Sequence, residues 1–192
     1  MKPCTDLVIR ARSGDRAALE PLFREVQGDV FRLLLSELRN QADAEDAAQE
    51  TFRQAVESIG SLRDPGAFPA WLVRIALEKA RTLRRRATAE QRAGEEKARR
   101  SGTQGEEATM QAERNELGGR VRSAVDGLEP ELRTAVRLRY EHGMTYEEIA
   151  EATDAPGGTV AWRLSEAHRR LQRVLAATGV VLAIAALERE LE

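Results

Sequence analysis

The sequence predicts an all-α protein in which a flexible linker joins two small helical domains, the second carrying a helix-turn-helix. Two observations support this fold class. Apolar residues recur at the helical period on both sides of the centre of the chain, without a strand-like alternation of any length. Between them, residues 87–116 contain Met110 as their one large apolar side chain. Such a segment buries too little surface to offset the entropy lost on ordering, so we interpret it as a linker.

Length and composition agree with this organisation. A chain of 192 residues, 42% of them hydrophobic, suffices for two small domains with real cores. The single cysteine, Cys4, excludes a disulfide scaffold and a cysteine-based zinc site. The formal net charge of −2 argues against a uniformly basic coat for nucleic acid, but not against local patches. The predicted units are a first domain at 5–86, a linker at 87–116, a second domain at 117–176 and a C-terminal extension at 177–192.

The motifs of common enzyme classes are absent from the sequence. It contains no Gly-Lys-Ser/Thr phosphate loop, no Gly-x-Ser-x-Gly elbow and no His-Glu-x-x-His pair. The two histidines, His142 and His168, are too few for a histidine metal site. We therefore expect a protein that is not an enzyme, with no catalytic residues, cofactor, metal or small-molecule substrate.

The ends of the chain favour a cytoplasmic protein. Residues 1–7 lack the apolar core of a secretion signal. The longest apolar stretch, residues 174–187, is shorter than the roughly 20 residues that span a bilayer, so we expect no stable membrane insertion. The extension has three open interpretations: an extra helix on the second domain, a docking segment for a regulator, or a shallow membrane contact. Its acidic end, residues 188–192, argues against an anionic membrane surface.

Three helices are predicted in the first domain. Asp15 can cap the first, which is expected to continue to Leu38 with a possible break at Gly28-Asp29. Asp43 is expected to begin the second, which ends at Gly60. The third carries a basic run, 81–86, at its end. The predicted core residues of the three helices are, in order, Leu19, Leu22, Phe23, Val26 and Val30; Ala48, Phe52, Ala55 and Ile59; and Trp71, Leu72, Ile75, Ala76 and Leu83.

The second helix combines a strongly acidic start with an exposed polar face. Asp43, Glu45, Asp46 and Glu50 crowd its first turns. Carboxylates at a helix N-terminus also stabilise the helix through its macrodipole, which is the structural alternative. The spacing, however, places four polar residues on one exposed face that could dock a basic partner helix: Asp46, Gln49, Glu50 and Arg53.

The second domain contains the spacing of a helix-turn-helix. A predicted helix through Leu132, Ala135 and Val136 stops at Gly143. Thr145 and Glu148 form a capping box that opens a short helix ending near Thr153. A Gly/Pro turn, residues 154–157, then leads into a longer amphipathic helix. Its predicted buried stripe is Val160, Leu164, Ala167, Leu171 and Val174, and its opposite face holds Trp162, Glu166, Arg169 and Arg173.

Trp162 admits two interpretations, because a tryptophan on a polar stripe beside arginines needs a reason. In the first interpretation, Trp162 faces DNA. The arginines beside it then contact phosphates or guanine, and the indole contacts the DNA backbone or a thymine methyl group. Alternatively, it covers another helix of the same domain or the linker. For the helix-turn-helix as a whole, the pattern favours nucleic-acid binding.

Several of these stretches, in this order, resemble the extracytoplasmic-function (ECF) sigma factors of the sigma-70 family. Residues 43–52 (DAEDAAQETF) resemble the family's polymerase-binding helix, and 68–76 (FPAWLVRIA) its segment ahead of the promoter-melting helix. Residues 128–133 (LEPELR), 145–150 (TYEEIA) and 158–160 (GTV) resemble its fourth region, and 11–19 (ARSGDRAAL) its first helix. The resemblance spans nearly everything except the linker and the final residues.

The resemblance implies a factor that binds core RNA polymerase, directs promoter-specific transcription initiation and has an anti-sigma regulator. The linker, in family terms, threads toward the polymerase active centre and the RNA exit path. Polymerase-binding residues would be Asp43, Asp46, Gln49, Glu50 and Arg53. Residues at the minus-ten promoter element would be Trp71, Arg74, Glu78, Lys79, Arg81, Arg84 and Arg85. Residues at the minus-thirty-five element would be Thr145, Thr159, Trp162, Arg163, Glu166, Arg169, Arg170 and Arg173.

The chain departs from the family pattern at several of these positions. Glu78 and Thr82 stand where Asn and Asp are common on the melting helix, and Pro69 where Arg is frequent. Ala161, Trp162 and Glu166 occupy recognition-helix positions often filled by Arg or Ser. Glu166 could accept a hydrogen bond from cytosine N4 or weaken phosphate affinity. The departures keep open an alternative, a sigma-like protein that binds an anti-sigma or other partner without efficient promoter opening. An ordinary helix-turn-helix repressor would leave the acidic helix unexplained.

Overall fold

The computed structural model describes residues 3–99 and 116–177, with side chains described through Ala89 and again from Gly119. The regular structure of these residues is entirely helical, which confirms the predicted fold class. The remaining linker residues, 100–115, and the extension from 178 lie outside the described residues, so the three interpretations of the extension stay open. The helices are α1 (Thr5–Arg12), α2 (Leu19–Leu38), α3 (Gln41–Ser58), α4 (Phe68–Arg99), α5 (Glu116–Asp126), α6 (Pro130–Tyr140), α7 (Tyr146–Thr153) and α8 (Gly157–Ala177).

The start of α2 and its expected break both differ from the prediction. Asp15 does act as a cap, accepting a hydrogen bond from the Ala17 amide at 3.0 Å, but it caps a short 3₁₀ turn, and α2 begins afterwards at Leu19. The helix then runs to Leu38 without interruption, so the break at Gly28-Asp29 was wrong. Burial of one continuous stripe on both sides of Gly28 offsets the low helix propensity of glycine.

Helix α3 begins at Gln41 rather than at the predicted Asp43. The Asn40 side chain accepts a hydrogen bond from the Asp43 amide at 3.2 Å and so caps the helix ahead of the acidic turn. Asp43 is therefore a first-turn residue whose carboxylate lies favourably in the helix dipole.

Helix α4 continues beyond the basic run at which it was expected to end. It extends past Arg86 to Arg99, so the first part of the predicted linker is helical. Residues 87–99 contain no proline and only one glycine, Gly94, and most of them favour helices intrinsically. Intrinsic helical propensity therefore favours continuation of the helix beyond Arg86.

The helix-turn-helix forms as predicted. Thr145 Oγ1 accepts from the Glu148 amide at 3.2 Å, and the Glu148 carboxylate accepts from the Thr145 amide at 2.7 Å, which completes the capping box. Helix α7 ends at Thr153, Asp154 adopts a left-handed conformation with φ of 52°, and α8 starts at Gly157. The preceding helix, α6, ends earlier than predicted, at Tyr140, with Gly143 in the connecting turn at φ of 64°.

One member of the predicted stripe on α8 is wrong. Its first four residues are buried, but Val174 is 50% exposed and Leu175 is buried in its place. The helical repeat of 3.6 residues after Leu171 falls between these two positions. The packing of α8 against α5, α6 and α7 therefore decides which of them is buried.

The two halves of the chain contact each other directly, through α4 against α7 and α2 against α6. Arg39 donates to the Asp126 carbonyl at 2.7 Å across this contact. Helix α6 is consequently buried from Leu132 to Leu138, including the charged Arg133. Burial lowers the pKa of Arg133, whose guanidinium donates to the Asp126 and Leu128 carbonyls.

Candidate functional site

The polar face predicted on α3 is exposed in the structure. Asp46, Gln49, Glu50 and Arg53 all lie at the surface. The opposite face of the helix is buried against its neighbours by small side chains, which include Ala44, Ala47, Thr51 and Ala55. Asp43, the fifth predicted residue, is half-buried at the start of the helix. We call the four exposed residues the α3 polar face.

Arg53 organises this face by binding two carboxylates at once. Its guanidinium donates to Glu50 at 2.7 Å, one turn before it, and to Glu57 at 2.8 Å, one turn after it. The hydrogen bond from Arg53 lowers the pKa of Glu50, and the two carboxylates raise the pKa of Arg53. The face therefore stays charged at neutral pH, with its acidic side chains outnumbering the arginine.

The residues predicted on α4 divide between the surface and the interior. Arg74, Glu78, Arg81 and Arg85 are exposed, whereas Lys79 and Arg84 are half-buried. Trp71 is 8% exposed and packs against Phe68 with ring centroids 5.8 Å apart. Its indole is a core side chain in this structure, in agreement with its predicted inward orientation.

Thr82 and Glu78, two of the departures from the family pattern, are linked by a hydrogen bond within α4. Thr82 Oγ1 donates to the Glu78 carbonyl at 2.9 Å, so its hydroxyl hydrogen bonds to its own helix. The Glu78 carboxylate lies at the surface one turn from Arg74 and Arg81.

A cleft between the two halves brings together arginines from both predicted DNA-contacting stretches. It has a volume of about 560 Å³. Arg81, Arg84 and Arg85 line it from α4, and Arg163 lines it from α8. Sequence spacing had placed these groups on separate domains. Only the packing of α4 against the helix-turn-helix juxtaposes them.

Helix α8 presents its predicted polar stripe to solvent. Trp162 is 61% exposed, so the described helices do not cover it and the covering interpretation is wrong for them. Arg169 and Arg173 are exposed alongside it, as is Thr145 at the start of α7. The other predicted residues, Thr159, Arg163, Glu166 and Arg170, are half-buried. The first turns of a recognition helix are those that reach base edges, and Trp162 lies there.

Glu166 has a different environment from the one expected for an open stripe. Its carboxylate accepts from Arg169 Nε at 2.8 Å, Arg169 Nη2 at 2.6 Å and Arg170 Nε at 2.7 Å. Arg170 also donates to Glu129, at the start of α6, at 2.9 Å. Hydrogen bonds from these arginines lower the pKa of Glu166. The Glu166 side chain is 11% exposed. We call Glu129, Glu166, Arg169 and Arg170 the α8 ion network.

Sequence reasoning missed Glu37, which lies between the two halves of the chain. Its side chain is 3% exposed, and it accepts hydrogen bonds from Thr134 of α6 at 2.7 Å and Arg84 of α4 at 3.4 Å. A signal was present, because Glu37 continues the buried stripe of α2 three and four residues after Leu34 and Leu33. A carboxylate on an apolar stripe indicates a buried polar contact.

The described residues contain no group of histidine, cysteine and carboxylate side chains that could hold a metal ion. None of the helices in residues 3–99 and 116–177 is long and apolar enough to cross a membrane.

Comparison with known families matches both halves of the chain. Residues 22–90 match sigma-70 region 2, and residues 118–171 match sigma-70 region 4. The RNA polymerase sigma-H factor of Pseudomonas aeruginosa is 31% identical over 179 residues, covering 88% of this chain and 92% of the relative. The ECF RNA polymerase sigma-E factor of Escherichia coli (strain K12) is 33% identical over 175 residues, covering 86% and 90%.

Solved structures agree with these relationships. CnrH, in complex with the cytosolic domain of CnrY, is 26% identical with a TM-score of 0.65, covering 90% of this chain and 97% of that one. The Bartonella quintana sigma factor RpoE, in complex with the anti-sigma factor NepR, shares the fold at 23% identity and a TM-score of 0.65, covering 80% and 94%. The chain therefore belongs to the ECF sigma factors of the sigma-70 family, which are RNA polymerase initiation factors rather than enzymes.

Proposed function

We propose that this ECF sigma factor acts in the cytoplasm and uses three surfaces, on α3, α4 and α8, to bind three different targets. Residues 5–86 form the domain for core polymerase and the minus-ten element, and residues 117–176 the domain for the minus-thirty-five element. The single observation that carries the proposal is that each of the three predicted surfaces includes exposed charged or aromatic side chains on a helix whose opposite face is buried.

The α3 polar face is the proposed docking surface for core polymerase. Asp46, Gln49 and Glu50 project from one side of a helix that small residues hold against the core. Arg53 restricts the conformations of Glu50, which reduces the entropy that binding must offset. An acidic, preorganised face of this kind complements a basic partner helix. Asp43 contributes through the helix start rather than by direct contact.

Helix α4 is proposed to bind the minus-ten element through its exposed arginines. Arg74, Arg81 and Arg85 can contact phosphates, because Arg presents several donors to one anion. Trp71 acts indirectly, since its indole packs in the core and supports the helix. Glu78 lies at the surface, where its charge repels phosphate, so this chain is expected to capture an unpaired base less tightly there than relatives with Asn. Lys79 and Arg84 are half-buried and complete the predicted set.

Helix α8 is proposed to enter the major groove at the minus-thirty-five element. Trp162 and Arg163 lie in its first turns, which reach base edges in helix-turn-helix proteins. The indole can contact a thymine methyl group, and Arg163 can donate to guanine. Thr145 and Arg173, which are exposed, and Thr159, which is half-buried, are proposed to contact the DNA backbone on either side.

We also propose an anti-sigma protein as a partner. CnrH and the Bartonella RpoE were solved in complexes with CnrY and NepR, and both share the fold of this chain. A partner that binds where the two domains contact each other would keep α4 packed against α7 and away from DNA.

Capture of core RNA polymerase is the first test of the proposal. Wild-type protein should retain bacterial core polymerase in a pull-down, and a variant carrying Asp46→Arg and Glu50→Arg should not. The matched control is Glu20→Arg with Glu151→Arg, which makes the same change in net charge at exposed positions on α2 and α7. A control that also loses core would show that charge, and not the α3 polar face, decides binding.

Promoter opening is the second test. Permanganate should detect unpaired thymines near the minus-ten element when the protein and core polymerase act on an opened promoter. Capture of core without any opened promoter would favour the alternative, a sigma-like interaction protein. Failure to capture core at all would remove the central step of the proposal.

A further inference from the structure

We propose that Glu166 is a restraining residue of the recognition helix: it withholds Arg169 from DNA phosphates and so keeps the affinity of α8 for nonspecific DNA low. This inference rests on the proposed function, because it takes α8 to be the helix that faces DNA. It assigns to Glu166 a role in electrostatics rather than in reading a base.

The positions of the two side chains on α8 support the proposal. Arg169 lies two helical turns from Trp162 on the same exposed stripe, and its own side chain is 52% exposed. An arginine at that position would reach the phosphate backbone when the first turns of the helix lie in the groove. Instead, Glu166 occupies one edge of its guanidinium, accepting from Nε at 2.8 Å and from Nη2 at 2.6 Å. Such a bidentate pair is the strongest arrangement available to an arginine and a carboxylate.

The same contacts argue against Glu166 as a reader of cytosine. One carboxylate oxygen accepts from both Arg169 and Arg170, and the other accepts from Arg169. The side chain is 11% exposed, so a base could reach it only after these charge-assisted bonds were broken. Cytosine N4 offers a neutral donor in exchange, which is the weaker partner.

The α8 ion network is electrically balanced, with two carboxylates and two guanidiniums. Arg170 is bound a second time by Glu129, so it stays in place even without Glu166. Arg169 has Glu166 as its carboxylate partner. Removing the charge of Glu166 should therefore release Arg169 in particular. Because each arginine that neutralises a phosphate releases counterions, the released group should appear in the salt dependence of binding.

The test measures binding of the full chain to a fluorescein-labelled DNA duplex of mixed sequence across a salt series. Glu166→Gln should bind about tenfold more tightly at low salt, and its log–log salt slope should be steeper by about 0.9, the value for one added phosphate contact. Glu151→Gln is the matched control: it removes the same charge from an exposed position on α7. It reports the general effect of one less negative charge on this domain.

Two further variants identify the arginine, and the first of them remains informative if Glu166→Gln folds poorly. In the wild-type background, Arg169→Ala should weaken duplex binding by roughly twofold or less, because Arg169 is already engaged. In the Glu166→Gln background, Arg169→Ala should return both the affinity and the salt slope to wild-type values. A large loss from Arg169→Ala in the wild-type protein would overturn the proposal, as would a Glu166→Gln protein that behaves like Glu151→Gln.

The same assay separates this inference from the proposed function. Trp162→Ala and Arg173→Ala should each weaken duplex binding if α8 faces DNA. If neither does, the proposed DNA surface is wrong. If both do while Glu166→Gln matches its control, only the role of Glu166 is wrong.

Discussion

Thr134 Oγ1 lies 2.7 Å from the buried carboxylate of Glu37 and joins α6 to α2 across the contact between the two domains. The same hydroxyl lies 2.8 Å from the Pro130 carbonyl, so its single hydrogen is shared between two acceptors. Arg84 of α4 approaches Glu37 at 3.4 Å. Three helices from two domains thus meet at one carboxylate.

Thr134→Val should loosen this contact. The change preserves shape but removes the donor, and a buried charged acceptor that loses a partner costs about 1–3 kcal/mol. We expect the free energy of unfolding in urea to fall by that amount. Spin labels on the exposed Cys4 and on a cysteine replacing Glu151 should show a broader distance distribution.

Thr153→Val is the control for that variant. Thr153 is equally buried, but its hydroxyl donates within α7, to the Ile149 carbonyl at 2.7 Å. It should leave the distance distribution unchanged. An unaltered distribution in Thr134→Val would show that the Glu37 contact does not hold the domains together.

His142 should make the protein less stable in acid. Burial lowers the pKa of His142; Asp29 opposes this effect, and Arg32 and Arg137 add to it. As the pH falls below the ordinary histidine pKa of about 6.5, the unfolded chain therefore takes up a proton before the folded one. The free energy of unfolding should decrease from there down to the lowered pKa and then level off.

His142→Asn isolates this effect from the titration of the carboxylates. Urea unfolding gives the free energy of unfolding of both proteins across a pH series. Above the ordinary histidine pKa, this free energy should change with pH equally in the two proteins. Below it, the free energy should fall more steeply in the wild-type protein than in the variant. Parallel curves over the whole range would contradict the prediction.

Two glycine substitutions should change stability in opposite directions. Gly143 has φ of 64°, a conformation that a side chain disfavours, so Gly143→Ala should cost about 1–2 kcal/mol. Gly119 lies within α5, and a Cβ there meets no atom within 4 Å, so Gly119→Ala should stabilise by about 0.8–1.0 kcal/mol. Urea unfolding of each variant checks both signs; a stabilised Gly143→Ala would contradict the assigned turn.

Trp162→Ala should separate DNA binding from folding. Because the indole is 61% exposed, its removal should change the free energy of unfolding by no more than about 0.5 kcal/mol. Replacing thymine by uracil in the minus-thirty-five element removes the methyl group that the indole is proposed to contact. This replacement should weaken binding of wild-type protein and have little effect on the variant; equal losses in both would place the indole elsewhere.

Features that depend on neighbours along the chain were predictable. Thr145 and Glu148 lie three residues apart, and the capping box they form needs only the first turn of α7. The exposed positions of Asp46 and Glu50 on α3, and of Trp162 on α8, likewise follow from the helical repeat. The sequence by itself determined the helical class, the helix-turn-helix and the family, because these depend on the spacing of residues that are close together in the chain.

Features that depend on contacts between distant residues were decided only by the tertiary structure. The helical repeat does not distinguish Val174 from Leu175; the packing of α8 against its neighbouring helices does. The polar stripe of α8 does not show that Arg170 also binds Glu129, 41 residues away at the start of α6. The burial of Glu37 requires α6 to lie beside α2, and no local pattern contains that information. These contacts join groups far apart in the chain, which meet only once the helices have packed.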